Sequence, residues 1–197
     1  ISSVNKSFYR VSMHGLRKEL LFKQVKSIGL PLSLIELPEN PSMEVYEAEM
    51  NRIVDELKQE NYNHCGFGDI FLEDLRKYRE EQLKPHGITC SFPLWKKDTT
   101  ELIHEFIERG FKAITICVKA DLLDESFVGR ELDADFIKDL PNNVDPCGEN
   151  GEFHTFCYDG PIFNEPIAFE IGEKVYRSYP DPHDKEKELG FWFCDLV

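Results

Sequence analysis

The chain has 197 residues, 30% of them charged and 41% apolar, a globular composition rather than a disordered one, with enough length for one large domain or two small ones. Its formal net charge of -14 argues against nucleic acid or an anionic membrane surface as a main partner, because both reward a basic patch, and it favours a cationic or small-molecule substrate. No apolar run approaches the ~20 residues that span a bilayer and no signal peptide is present, so no membrane partner is expected. Cys65, Cys90, Cys117, Cys147, Cys157 and Cys194 form no Cys-x-x-Cys pair, and several sit in apolar runs. They read as reduced thiols of a cytoplasmic protein.

The chain opens Ile1-Ser2-Ser3-Val4-Asn5 without an initiator methionine, which points to an upstream segment. Leu16, Leu20, Leu21, Val25 and Ile28 recur at helical spacing and predict a helix over 15–28, with Gly29 as its stop. A strand is expected over 30–37, broken by 38–41. Ser42 is placed to cap a helix toward Gln59, whose stripe of Met43, Tyr46, Met50, Ile53, Val54 and Leu57 suits core packing. Residues 65–70 read as a short strand ending in a glycine-bearing turn, and 71–83 return to helical period. After Gly87 a strand over 88–95 ends in Pro93-Leu94-Trp95, and a helix over 99–108 buries Leu102, Ile103, Phe106 and Ile107.

Residues 112–118 carry the β-branched run Ile114-Thr115-Ile116-Cys117-Val118, of the type that parallel strands covered on both faces require. Four alternations of helix and strand predict an α/β fold with a mostly parallel sheet, right-handed crossovers and helices on both faces. Beyond residue 118 the rhythm changes. Gly129-Arg130-Glu131-Leu132-Asp133 leads into a short helix ending near Leu140, strands are expected over 167–176 and 191–197, and 180–184 reads as a solvated turn. The economical picture is a smaller α+β region packed directly on the sheet.

The stretch from Asp145 to Pro161 carries the densest chemistry. Gly148 and Gly151 allow close backbone approach, Glu149 and Glu152 flank the second glycine, and 153–158 alternate like a half-buried strand. An acidic surface hairpin would use the same residues. In a parallel sheet ligands bind beyond the carboxyl ends of the strands, where Gly66, Gly68 and Asp69 fall. Asp69 could meet a ribose hydroxyl, a metal-bound phosphate or an adenine edge, or could cap the next helix. Arg76 and Arg79 share a helical face and could present two guanidinium forks to phosphate or carboxylate, or pair with Glu73 and Glu80. His14, His154 and His183 lack the spacing of a zinc helix, so no metal ligands are assigned. Nucleophile-elbow, dinucleotide and Walker motifs are all missing.

His14-Gly15, Leu30-Pro31-Leu32, Gly68-Asp69-Ile70, Tyr78-Arg79, Pro93-Leu94-Trp95, 129–133, the block 148–155 and Asp159-Gly160-Pro161 together resemble the diphthine-ammonia ligase family. These are N-type ATP pyrophosphatases of the PP-loop superfamily, and the resemblance runs from about residue 11 to about residue 170. It implies a Rossmann-like sheet of the adenine nucleotide alpha hydrolase type. Residues 1–97 would form a nucleotide-binding α/β domain, and 98–197 a C-terminal substrate-binding α+β domain.

The implied activity uses ATP and Mg2+ to adenylate a carboxylate, that of diphthine on elongation factor two, with release of pyrophosphate. Ammonia then displaces AMP. ATP or AMP, a protein substrate and a second copy of the chain as a homodimer are the partners this allows. The family's Ser-Gly-Gly-Lys-Asp-Ser phosphate loop does not occur in these residues. Ile1 to Val4 would correspond to the end of its second strand, with the first strand, loop and first helix upstream.

The resemblance places Glu149 and Glu152 in catalysis, Gly66, Gly68 and Asp69 beside the adenylate, and Arg79 and Trp95 nearer the acceptor. Asn150, Gly151, His154 and Thr155 would complete the substrate pocket. A trimethylammonium acceptor would suit acidic and aromatic side chains. If Glu149 and Glu152 serve catalysis, changing either to Gln should leave stability unchanged or raised. The alternatives are the same chemistry on another acceptor, or an adenine-nucleotide-binding module without catalysis.

Overall fold

β1 (Ser2–Asn5), β2 (Arg10–Val11) and β3 (Leu34–Leu37) form a small sheet in which β1 is central, parallel to β3 and antiparallel to β2. This computed structural model describes residues 1–6, 10–11, 15–38, 41–181, 184 and 186–197. His14, Pro182 and His183 lie outside the described residues.

Between β2 and β3 runs α1 (Lys18–Ile28), whose stripe buries Leu20 and Leu21. It stops where expected, because Gly29 adopts φ 76° and its N–H reaches back to the carbonyls of Val25 and Lys26. Next, α2 (Met43–Gln59) starts at Ser42, whose Oγ accepts from the Val45 N–H at 3.3 Å, and packs Ile53 against Ile35 and Leu37. β4 (His64–Gly66), α3 (Glu73–Leu83) and β5 (Thr89–Ser91) follow, and β4 pairs in parallel with β5.

The second half begins with α4 (Thr99–Glu108), capped by Asp98, and continues through β6 (Lys112–Lys119), α5 (Ala134–Asp139), β7 (Phe153–Asp159), β8 (Ile171–Pro180) and β9 (Glu188–Leu196). Its strands make a four-stranded antiparallel sheet in the order β7-β6-β9-β8. Among the described residues no helix is long and apolar enough to cross a membrane.

The fold is therefore mixed α/β, as expected, with one correction to strand direction. Parallel pairing occurs in two separate ladders, β1 with β3 and β4 with β5, rather than in one sheet running through residue 118. β6 is buried from Ala113 to Val118 as its composition predicts, yet it is antiparallel to both neighbours. A continuous apolar run reports that both faces are covered; it carries no information about the direction of the flanking strands.

One apolar core joins the two halves. Val4, Leu20 and Leu21 share it with Ile114, Ile116 and Val118 of β6, Phe136 of α5 and Phe156 of β7. Each such side chain contributes about 1.5–3 kcal/mol on burial. Polar bonds fix the register of α1 on the last sheet. Ser27 Oγ donates to the Glu165 carbonyl at 2.6 Å, and Gln24 Nε2 donates to that of Cys157 at 2.6 Å. Inside β6 the buried Thr115 hydroxyl donates to the Phe127 carbonyl at 2.6 Å and accepts from the Arg130 N–H at 3.2 Å, so the hydroxyl is buried with its bonds made.

At the far edge of this joint Asp195 of β9 accepts from Arg17 at 2.6 and 3.1 Å and from Arg10 at 2.8 Å. These bonds, Arg17's first, hold its carboxyl well below the usual carboxylate range. A folded-state pKa below the unfolded one stabilises the protein above the unfolded pKa of about 3.9, and that stability is lost as pH falls through the folded value. Replacing Asp195 with Asn should cost roughly 1–2 kcal/mol near pH 7, a fall of about 3–6 °C in melting temperature. Thermal melts of both proteins from pH 7 down to pH 2 should show the difference shrinking below about pH 4.

Candidate functional site

The stretch 145–152 is a closed loop tied to one buried side chain. Asp145 Oδ1 accepts from the N–H groups of Cys147 and Glu149 at 2.9 and 3.2 Å, which folds the chain back on itself. Glu152, only 2% exposed, accepts from the Asp145 N–H at 3.0 Å, the Asn150 N–H at 2.9 Å and Asn150 Nδ2 at 2.9 Å. Gly148 sits at φ 69°, and a Cβ there would lie 2.9 Å from the Phe153 carbonyl oxygen. Its freedom thus serves the loop's own closure. Gly151, at φ 80°, faces open space.

The closed loop presents Glu149 to the other half of the molecule. Glu149 Oε1 accepts from the backbone N–H of Ile70 at 2.6 Å and of Phe71 at 3.4 Å. Those groups lie just beyond Gly66–Asp69, at the carboxyl end of β4, so the acidic block meets that strand end. A second strap lies beside it, where the Lys96 N–H donates to the Ile70 carbonyl at 2.7 Å.

Asp69 is 8% exposed and faces Arg79, with Arg79 Nε 2.7 Å from Oδ2 and Nη2 donating to Oδ1 at 3.2 Å. It does not cap α3, whose N-cap is Leu72. The Arg79 guanidinium also lies 4.4 Å from the Phe67 ring centre. Phe67 stacks on Phe92 at 5.4 Å, Phe92 meets Trp95 at 6.0 Å, and Arg76 lies 4.8 Å from the Phe92 centre and 4.6 Å from that of Trp95. Cations and rings therefore alternate across the carboxyl ends of β4 and β5. Sequence reasoning named Arg76 with Arg79 as a possible pair of guanidinium forks but did not identify Phe67 or Phe92 as members of this group. The available signal was an aromatic residue directly after each parallel strand and an Arg pair three apart on the intervening helix.

Beside this group a cavity of about 590 Å³ opens between the two parallel ladders, lined among others by Ser3, Ile35, Tyr46, Gly66, Phe67 and Arg79. That volume is in the range of small-molecule sites. His154 and Thr155 lie on β7, opposite Cys117 and Thr115 of β6. Among the described residues no three His, Cys, Asp or Glu side chains stand together as a metal site. The Cys147 thiol, whose Sγ is 3.3 Å from the Thr99 carbonyl, is pushed up to about 12 by burial and by neighbouring carboxylates, so it is protonated and not nucleophilic near pH 7.

Residues 98–182, from the cap of α4 to the end of β8, match the family described as diphthamide synthase C-terminal domain. Over these residues the chain is similar to that family. Curated relatives agree. The chain is 34% identical over 113 residues to the diphthine–ammonia ligase of Bos taurus, covering 54% of this chain and 42% of that protein. The Homo sapiens protein of the same name is 33% identical over 113 residues, with the same coverage of each chain. The Schizosaccharomyces pombe protein of that name is 35% identical over 115 residues, 56% of this chain and 19% of its own length. The match thus spans less than half the length of these relatives. The diphthamide synthase block contains the whole 145–152 loop and Glu149, while Asp69, Arg76, Arg79 and Trp95 precede it.

The loop geometry gives Glu152 a structural load that its sequence context did not reveal. Gln at this position would turn an amide nitrogen toward an N–H donor in a buried setting, at a cost of about 2–3 kcal/mol. We expect Glu152→Gln to lower the melting temperature by about 5–9 °C in a thermal melt. Glu149→Gln, which keeps an oxygen for the Ile70 and Phe71 amides, should cost less than half of that.

Proposed function

We propose that this chain is part of an ATP-dependent ligase that turns a carboxylate into an amide through an acyl-adenylate, the acceptor being of the diphthine type. The observation that carries this reading is the family match over 98–182 together with the Glu149 bond to the Ile70 and Phe71 amides. That bond brings the matched region against the carboxyl ends of a parallel strand pair, where nucleotides bind in such sheets.

In this reading the β1–β3 and β4–β5 ladders are two parts of one Rossmann-like sheet of the adenine nucleotide alpha hydrolase type. Residues 1–97 then serve the nucleotide and 98–197 the acceptor. ATP sits near Gly66, Gly68 and Asp69, and Mg2+ arrives on its phosphates. An acceptor carboxylate oxygen attacks the α-phosphorus as the bond to pyrophosphate breaks. Ammonia then attacks the acyl carbon, AMP leaves, and a proton passes to a base.

Glu149 and Glu152 act here by holding the loop and the Ile70–Phe71 amides at the reacting ends, and Asn150, Gly151, His154 and Thr155 line the acceptor side. Arg79, balanced by Asp69, borders the nucleotide. One face of Trp95 is covered by Arg76, so a trimethylammonium acceptor would rely on carboxylates in addition to the ring. A protein acceptor such as elongation factor two, a homodimer and a cytoplasmic location belong to this proposal.

The commitment of the Glu149 and Glu152 oxygens to N–H groups supports a second reading, a nucleotide-binding module without turnover. Two measurements on the full-length protein separate the two. Calorimetry with ATP and magnesium should show binding, and ammonia with a carboxylate acceptor should stimulate release of AMP and pyrophosphate. Binding without release favours the module, and no adenine-nucleotide binding at all retires both.

A further inference from the structure

We propose that Arg76 is an oxyanion-binding residue, held against the rings of Phe92 and Trp95 at the carboxyl ends of β4 and β5, with Glu80 as an internal place-holder for a phosphate or carboxylate group. The inference stands on the surroundings of Arg76 alone, and its failure would leave the ligase reading intact.

The two arginines of α3 are set differently. Arg79 faces a nearly buried carboxylate, with Nη2 donating to Asp69 Oδ1 at 3.2 Å and Nε 2.7 Å from Oδ2, and lies over Phe67, so its charge is matched by an internal partner. Arg76 lies 4.8 and 4.6 Å from two ring centres, and its bond within α3 runs from Nε to Glu80 Oε1 at 3.0 Å. That bond engages neither terminal nitrogen, and these carry four of the five donors of the fork. The Arg76 side chain is 35% exposed and that of Glu80 47%, which makes their pairing an exposed contact one turn apart, weak and readily exchanged.

Contact with two rings inclined at 62° confines the guanidinium before any ligand arrives, and a planar fork so confined suits two oxygens of one carboxylate or phosphate. Phe92 directly follows β5 and Phe67 directly follows β4, so the stack stands where parallel strands deliver ligands. Lys96, in the same turn as Trp95, adopts φ 60° and places its ammonium 3.5 Å from Glu73. A chain of net charge -14 that gathers cations at one strand end creates a local exception to its own field.

The place-holder makes a prediction that a structural ion pair does not. Removing the Glu80 charge should release Nε and leave the guanidinium charge uncompensated, which tightens binding, whereas removing Glu81, which lies 3.9 Å from Lys77, changes the net charge equally without touching Arg76. Inorganic pyrophosphate and glutarate serve as separate probes, titrated calorimetrically into the full chain and, in a Trp192→Phe background, followed through the fluorescence of Trp95, the remaining indole. Glu80→Gln should bind one of them about 3–10-fold more tightly, Glu81→Gln should change it less than about 2-fold, Arg76→Lys should weaken it about 10-fold, and Arg76→Gln should abolish it. The preferred probe tells whether the group is a phosphate or a carboxylate. No saturable binding of either probe, equal tightening in Glu80→Gln and Glu81→Gln, or unchanged affinity in Arg76→Gln would each overturn the proposal.

Discussion

A carboxylate taken out of water must find its hydrogen bonds inside the protein, and Glu152 finds all of its observed donors within seven residues of itself, at the Asp145 and Asn150 nitrogens. That requirement closes the loop, and the closed loop aims Glu149 outward at a fixed point. The Ile70 and Phe71 amides then have a partner that neither β4 nor α3 supplies. Take away the buried acid and the β4–α3 connection loses its polar bridge to the 145–152 loop, although the shared apolar core and the Arg10 and Arg17 bonds to Asp195 remain.

The charge of the molecule is organised on the same principle. Several arginines are held by aromatic faces or by carboxylates, and the exposure of the carboxylate partner sorts them. Asp69 opposite Arg79 is nearly buried, while Asp195 opposite Arg10 and Arg17 is half-buried and straps the amino-terminal segment to β9. Arg76 with Glu80 is exposed and replaceable. A low dielectric strengthens the first kind and water screens the last, so only the last leaves a charge for a ligand to use.

The family match covers the antiparallel half and the loop, whereas the alternating cations and rings come from residues before it. The two meet where the Glu149 carboxylate accepts from the backbone amides of Ile70 and Phe71. Such amides hold position at no cost in side-chain entropy, which suits a junction that has to present a substrate group accurately.

Local chemistry wrote several elements directly into the sequence. Gly29 ends α1, because a left-handed residue there costs glycine nothing, and Ser42 and Asp98 begin α2 and α4 by accepting the first free N–H groups. Strand direction at β6 was not legible, since its composition records burial on two faces and two parallel neighbours would bury it equally. Nor could the spacing of Arg76 and Arg79 say which guanidinium is spent. Both lie on one face of α3, and only the tertiary structure brings Asp69 against one and Phe92 with Trp95 against the other. The same holds for Glu149 and Glu152. Two acids around a glycine look alike in sequence, but a carboxylate's role depends on which N–H groups it meets, and those are set by how the chain closes in three dimensions.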